Sequence, residues 1–435
     1  MEKRTHTKLA IHGGVPVMRE PLPPMFPGGL EICEKEKQAV LEVLDNKYLF
    51  RYYGPEGHPS KVKMLEEEFA EKIGVPYALA VNSCTSALIT SLVALGVGPG
   101  DEVIVPGYTF FASCAAVVAA KAIPVIAEVD DSLTLDPTDV KRKITPHTKA
   151  IIAVHMRGAP CNLDALLEIA RSRGVAVIED VAQACGGSYH GGMLGSFGDC
   201  NAFSFQFHKI ITAGEGGMLT THDGLLYDRA QEYHDTAACW RPGGPAKRFD
   251  AARYEGELFP GVNFRMSEII GAVLRVQLEK LDTLLAQMRK NKAIIKEGIS
   301  DIQGIQFRRL NDSEGDTAIA LIVFLDNPAL AEKYATALRA EGVEANSIFN
   351  KGVPDWHVYS HWEMIMKKWT ATPEGCPYTC PYHEGETPEY SPDMCPQTLA
   401  LLDKSIHLDI PPQLTPHQCE MIVEAFRKVA GYYLQ

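Results

Sequence analysis

From about Met64 to Asp223 short apolar runs alternate with helix-length segments, and this alternation limits the possible folds more than any other feature of the chain. The runs Tyr77–Val81, Glu102–Val105, Ile123–Glu128, Ala150–His155 and Val175–Asp180 have strand length and are rich in β-branched residues. Segments of helical character, such as Ser86–Leu95 and Leu163–Arg173, lie between them. Such a sequence predicts βαβ units, an α/β fold and a mostly parallel sheet with helices on both faces.

Beyond this region, Glu268–Ser300 reads as one long helix, with Ile269, Val273, Val276, Leu278, Leu281, Leu284 and Leu285 at apolar positions. It is expected to link two domains. Ile319–Leu325 and Glu344–Phe349 read as strands, and Leu330–Glu341 and His417–Val429 as helices. The predicted organisation is an N-terminal segment (residues 1–40) packing on a small domain, a large domain (41–285) and a small C-terminal α/β domain (286–435). Thr370–Pro396 is rich in proline, cysteine and tyrosine without periodicity, and is expected to be an ordered surface excursion.

Composition excludes several classes. The net charge of −13 is spread without a basic block, which argues against a nucleic-acid partner. Eleven cysteines, an odd number in so long a chain, imply reduced thiols. The chain opens on a polar stretch, Met1–Ala10, and nowhere runs eighteen apolar residues together, so neither a signal peptide nor a membrane span is expected. The expected location is the cytoplasm.

Four segments carry chemistry. In Phe203–Gly217 (FSFQFHKIITAGEGG), Lys209 sits between a strand-like start and a glycine-rich turn. A lysine partly shielded from water forms Schiff bases, and Gly214, Gly216 and Gly217 let the backbone pass close to a ligand. By itself the stretch reads more readily as a surface lysine before a turn. Asp180 ends an apolar strand, where α/β sheets bind ligands. It could keep a pyridine nitrogen protonated, or serve as a helix N-cap. Asn82–Leu88 (NSCTSAL) opens a helix, and Ser83, Thr85 and Ser86 could hold an anion there or simply cap it. In Pro106–Ser113 (PGYTFFAS), Phe110 could lie on a planar ring or pack in the core. Taken together, the four segments offer partners for the phosphate, ring face, ring nitrogen and aldehyde of pyridoxal phosphate (PLP).

These residues resemble the DegT/StrS family of PLP-dependent sugar and aminocyclitol aminotransferases from about Leu30 to Val429. The family's serine, four residues, lysine and T-x-G-E-G-G turn is matched by Ser204, Lys209 and Thr212–Gly217. The resemblance implies the aspartate-aminotransferase fold (fold type I), with a large PLP-binding domain on a mostly parallel, seven-stranded type of sheet. It implies that Lys209 is the Schiff-base lysine and proton shuttle, and that Asp180 faces the pyridine nitrogen with Gln183 beside the ring hydroxyl. Phe110 would stack on the ring, and Thr85, Ser86 and Ser204 would hold the phosphate. Asn263, within GVNFRM (Gly261–Met266), would reach the phosphate of the partner subunit in a homodimer with shared active sites.

The implied reaction moves an amino group from glutamate or glutamine to a keto sugar or keto cyclitol, an amino-deoxy-octulosonate-type sugar acid being one candidate. A PLP-dependent sugar dehydratase and a non-catalytic PLP-binding regulator are the alternatives. A dehydratase branch of the family carries histidine in place of the lysine, whereas here His208 precedes the lysine. The chain departs from the family pattern at Cys84, where glycine is common, and at Arg157. Arg157 could meet a substrate carboxylate or lie on the surface; with His208 it completes the candidate substrate contacts. Cys376, Cys380, His383 and Cys395 have irregular spacing and read as thiols in a loop rather than a zinc site, so no metal is expected. Trp356, His357, His361 and Trp362 could line a substrate pocket or pack elsewhere.

Overall fold

A computed structural model of the chain describes residues 8–237, 259–347 and 354–434. Its main sheet has seven strands: β1 (Tyr77–Val81), β2 (Glu102–Pro106), β3 (Ile123–Ala127), β4 (Thr148–Val154), β5 (Ala176–Asp180), β8 (Cys200–Ser204) and β9 (Gly217–Thr221). A two-residue hairpin, β6 (Ser188–Tyr189) and β7 (Gly192–Met193), intervenes. The order is β1-β9-β8-β5-β4-β2-β3, and only β9 runs antiparallel to its neighbours. The strands are nearly all buried residues, as expected for a sheet covered on both faces.

This topology fixes where a site can form. The carboxyl ends of β1, β2, β4, β5 and β8 share one edge with the start of β9. Four of the segments singled out above, Asn82–Ser86, Gly107–Phe110, Asp180–Gln183 and Ser204–Lys209, leave the sheet there.

A smaller four-stranded sheet orders β10 (Gln306–Phe307), β11 (Ala320–Phe324), β13 (Ser405–Asp409) and β12 (Ala345–Asn346), all antiparallel. The two-residue period of β11 divides its side chains between two cores. Ala320, Ile322 and Phe324 join the core of the main sheet, and Leu321 and Val323 join the second. The 32-residue helix Glu268–Ile299, about 48 Å long at 1.5 Å per residue, crosses both. Leu274, Leu281 and Met288 lie in the first core, Ile295 and Ile299 in the second.

Leu9 and Met18 also pack into the second core, while Phe26 reaches the Lys209 loop. The proline-rich excursion is largely tied to the main sheet. Tyr378, Tyr390 and Cys395 belong to the first core, and Tyr390 Oη donates to the carbonyl of Pro124 at 2.6 Å. Of the predicted strand Glu344–Phe349, only Ala345–Asn346 pairs, and Ile348 and Phe349 lie outside the described residues. Strands β9 and β13 and the helix Glu34–Asn46 were not expected from the pattern.

Candidate active site

Asp180 is buried at the carboxyl end of β5. Its Oδ2 accepts from Ser113 Oγ at 2.8 Å and its Oδ1 from the Ala182 N–H at 3.1 Å. The chain then turns without starting a helix, so the aspartate is not an N-cap. Burial raises its pKa, while Ser113, the Ala182 N–H, Lys209 and His155 favour its charged form. Beneath it, Glu179 is fully buried and accepts three backbone N–H groups, from Gly195, Phe197 and Gly198. His155 Nε2 lies 2.9 Å from Glu179 Oε2, and the His155 N–H donates to the Asp180 carbonyl at 3.1 Å. The end of β5 is thereby held on both sides.

Lys209 lies in the turn between β8 and β9. The Phe207 N–H donates to the Gly214 carbonyl at 3.0 Å, and Thr212 Oγ1 donates to the Phe205 carbonyl at 2.9 Å, closing the loop around the lysine. Gly214 (φ 85°) and Gly216 (φ 143°) occupy backbone regions that other residues rarely enter. A Cβ on Gly217 would stand 2.4 Å from the Ser83 carbonyl carbon. Only glycine lets this turn close onto the loop that follows β1. The lysine amine is pushed below its ordinary pKa, chiefly by burial; Cys84 and Asp180 oppose the shift and Arg157 adds to it.

That neighbouring loop starts the helix Cys84–Ala94, two residues before the predicted Ser86. Ser83 is its N-cap, accepting from the Ser86 N–H at 3.1 Å, and the two hydroxyls lie 2.8 Å apart. Ser86 Oγ donates to Asn82 Oδ1 at 2.6 Å. Thr85 is half-buried in the first turn. Ser204, buried at the end of β8, accepts from the Gln206 N–H at 3.4 Å. Burial raises the pKa of the Cys84 thiol well above its ordinary value, so it stays uncharged. The segment carrying Asn263 runs alongside, with the Asn82 N–H donating to the Phe264 carbonyl at 2.8 Å. Asn263 itself is exposed, its Oδ1 accepting from the Arg265 N–H at 3.2 Å.

Phe110 is 50% exposed at the same edge, which removes the core-packing alternative. Its ring lies 5.3 Å from that of His357. Residues 356–359 run beside residues 107–111: the Thr109 and Phe111 N–H groups donate to the carbonyls of His357 and Trp356 at 3.0 and 2.9 Å. His357 and Trp356 therefore flank the candidate site. Trp362 is fully buried, and the Asp355 N–H donates to His361 Nδ1 at 2.9 Å.

Gln183 and Arg157 are joined, the Arg157 N–H donating to Gln183 Oε1 at 3.0 Å. Arg157 is not a free surface residue: its Nη2 lies 2.5 Å from Asp409 Oδ1 on β13. His208 is exposed and packs by its ring against Phe26 and Phe207. Ser113, Tyr108, Arg308, His407 and Asp409 were not singled out from sequence. Ser113 stands in the same PGYTFFAS run as Phe110 and was within reach of a closer reading; the others are brought in by tertiary contacts. His383 Nε2 lies 3.1 Å from Glu102 Oε1, and among the described residues no group of three His, Cys, Asp or Glu side chains could hold a metal ion.

The arrangement fits PLP on its own terms. A buried carboxylate, a lysine with a lowered pKa, an exposed aromatic face and a hydroxyl-lined helix start converge at one sheet edge, and the glycine turn is closed tightly enough to exclude a side chain. Comparison with known proteins points the same way. Residues 31–376 match the DegT/DnrJ/EryC1/StrS aminotransferase family. The L-glutamine:2-deoxy-scyllo-inosose aminotransferase of Streptomyces kanamyceticus is 34% identical over 317 residues, covering 72% of this chain and 71% of that one. The GDP-perosamine synthase of Escherichia coli O157:H7 is 36% identical over 269 residues, 62% of this chain and 69% of its own. An aminotransferase structure from Psychrobacter cryohalolentis superposes with a TM-score of 0.77 at 28% identity, covering 95% of this chain and all of that one.

Proposed function

The chain belongs to the DegT/DnrJ/EryC1/StrS aminotransferase family and is a PLP-dependent aminotransferase, and from that premise we propose that it moves an amino group from glutamate or glutamine to a keto sugar or keto cyclitol. The observation that carries the reading is the meeting of Lys209, Asp180 and the glycine turn at one sheet edge. When bound, the cofactor supplies an electron sink for bond changes at the amine-bearing carbon.

The chain's own residues do the rest. Lys209 would hold the cofactor's aldehyde carbon and would carry the proton to and from the amine-bearing carbon, its amine biased toward the neutral form by burial. Asp180, whose charged form Ser113 and the Ala182 N–H favour against burial, would face the ring nitrogen and favour its protonated form, with Gln183 at the ring hydroxyl. Thr85, Ser86, Ser204 and the helix start at Ser83 hold the phosphate, and Phe110 covers one ring face. Asn263, exposed beside that loop, reaches the phosphate of a second subunit in a homodimer with shared sites. Of the two curated relatives named above, one is named as an aminotransferase and neither is named as a dehydratase or a regulator.

Ten cysteines among the described residues are free, which supports a reducing, cytoplasmic setting. No described helix is long and apolar enough to cross a membrane. The test is reduction of the yellow holoenzyme with borohydride, followed by peptide mass mapping. The cofactor mass should appear on Lys209, and its appearance on another lysine would overturn the assignment.

A further inference from the structure

Arg157 stands in the left-handed backbone region (φ 55°, ψ 38°), which costs a side chain of this size about 1 kcal/mol or more unless its surroundings enforce it. Its guanidinium meets Asp409, yet its Nε is buried with no hydrogen-bond partner. Directly behind it, Arg308 is buried and donates only to backbone carbonyls, those of Met156 at 3.0 Å and Arg157 at 3.2 Å. Among the described residues Arg308 has no carboxylate in ion-pair contact; Asp316, bonded to Lys292, acts on it only from farther off. Two neighbouring guanidinium groups therefore have a single carboxylate, Asp409, in direct contact between them.

Asp355 and Asp316 offset part of the pair's positive charge, without touching either guanidinium. His407, two residues before Asp409, has a buried Nδ1 without a partner, while its Nε2 lies 2.9 Å from Ser405 Oγ. Burial, reinforced by Arg157 and Arg308, keeps this ring uncharged. Tyr108 lies edge-on to it, with ring centroids 6.1 Å apart. On its other side Arg157 is tied to Gln183, three residues beyond Asp180, so the charged pair borders the proposed reaction centre. The Arg157 side chain is still 24% exposed and Asp409 is 41% exposed, leaving the ion pair open to an incoming anion.

A buried guanidinium with no carboxylate in contact is costly, and an ion pair that only fastened the two sheets together would have no use for the second guanidinium. Resting on the transaminase reading, we propose that Arg157, supported by Arg308, is the docking point for a substrate carboxylate. The shared chemistry is a carboxylate within reach of the reacting carbon: either the α-carboxylate of the amino donor or the acid group of a keto sugar acid. In this account Asp409 holds the guanidinium in place until the substrate displaces or joins it, and a planar fork binds a carboxylate with two parallel hydrogen bonds.

Calorimetric titration of the holoenzyme with non-reacting probes tests this without turnover. Glutarate mimics the donor, gluconate the sugar acid, and glutaramide and glucose are their uncharged counterparts. At least one of the two carboxylates should bind the wild type about 10–100-fold more tightly than Arg157→Gln, a charged hydrogen-bond pair's worth, and the uncharged partner should not distinguish the two forms. Arg157→Lys should fall between them. Asp409→Asn, which removes the internal competitor, should bind the same probe more tightly than the wild type. A preference confined to glutarate assigns the site to the donor, and one confined to gluconate assigns it to the acceptor. Equal binding of both carboxylates by the wild type and Arg157→Gln, or weaker binding by Asp409→Asn, overturns the proposal. The transaminase reading fails separately, if no amino donor alters the absorbance of the bound cofactor.

Discussion

Ser113 shows how one hydroxyl can govern a reaction it does not enter. Its donation to Asp180 Oδ2 favours the carboxylate that burial disfavours. Ser113→Ala removes a hydrogen bond to a charged group, a loss of about 1.5–3 kcal/mol, so the donor half-reaction should slow by about 10–100-fold while the fold is retained. The sign of the pH effect follows. Without this donor the Asp180 pKa rises further, so the acid limb of the rate profile should move to higher pH. An unchanged rate and an unshifted limb would show that Asp180 is not the group whose charge matters. At this scale the sequence was informative where a residue type is demanding, as with Lys209 after a strand and Asp180 at a strand end. It was silent on Arg308 and Asp409, because their contacts with Arg157 span 151 and 252 residues, and on His407, which β13 carries into the same place.

Among the elements, the glycine turn and the helix start work as one unit. Gly217→Ala would drive a methyl group into the backbone of Ser83, and backbone cannot step aside as a flexible side chain can. The expected cost is about 1–3 kcal/mol, felt first as faster loss of cofactor on dialysis. Retention equal to the wild type would mean that the close approach has no bearing on cofactor binding.

A second element contact joins the helix Glu34–Asn46 to the long helix. Burial would push the Glu36 pKa up, but Lys280, the Cys33 N–H and Gln277 bring it down to about 2. A depressed folded pKa stabilises above the ordinary value of 4.5 and ceases to do so as the pH falls toward 2. Glu36→Gln should therefore be less stable than the wild type at pH 6–7, on the order of 1–2 kcal/mol after solvent screening, and the difference should vanish near pH 2. A gap that persists at pH 2 in chemical denaturation would remove the linkage.

The five parallel-strand runs were legible because burial on both faces writes an unbroken apolar code, and the long helix because its period persists over many turns. Strand β9 was hidden by the GEGG turn that precedes it and by its polar end, Thr220–Thr221. Strand β13, with Ser405, His407 and Asp409 alternating with apolar residues, carries a weak code because its polar side serves the Arg157 cluster.

For the whole molecule, the shared-site dimer makes a quantitative claim. Lys209→Ala and Asn263→Ala are each expected to be inactive or nearly so, for different reasons. In a mixed dimer one site would carry both defects and the other neither. A random equal mixture should recover roughly a quarter of wild-type activity, since about half the dimers are mixed and half their sites are intact. No recovery after demonstrated subunit exchange would place Asn263 in service of its own chain. The central claim, amino transfer through PLP, is tested most directly by mixing the holoenzyme with glutamate or glutamine carrying a nitrogen-15 α-amine, with no acceptor present. The account predicts loss of the yellow absorbance and, after denaturation, release of an aminated cofactor bearing the heavy nitrogen. An absorbance left unchanged by both donors, with only the unlabelled aldehyde form released, would contradict it.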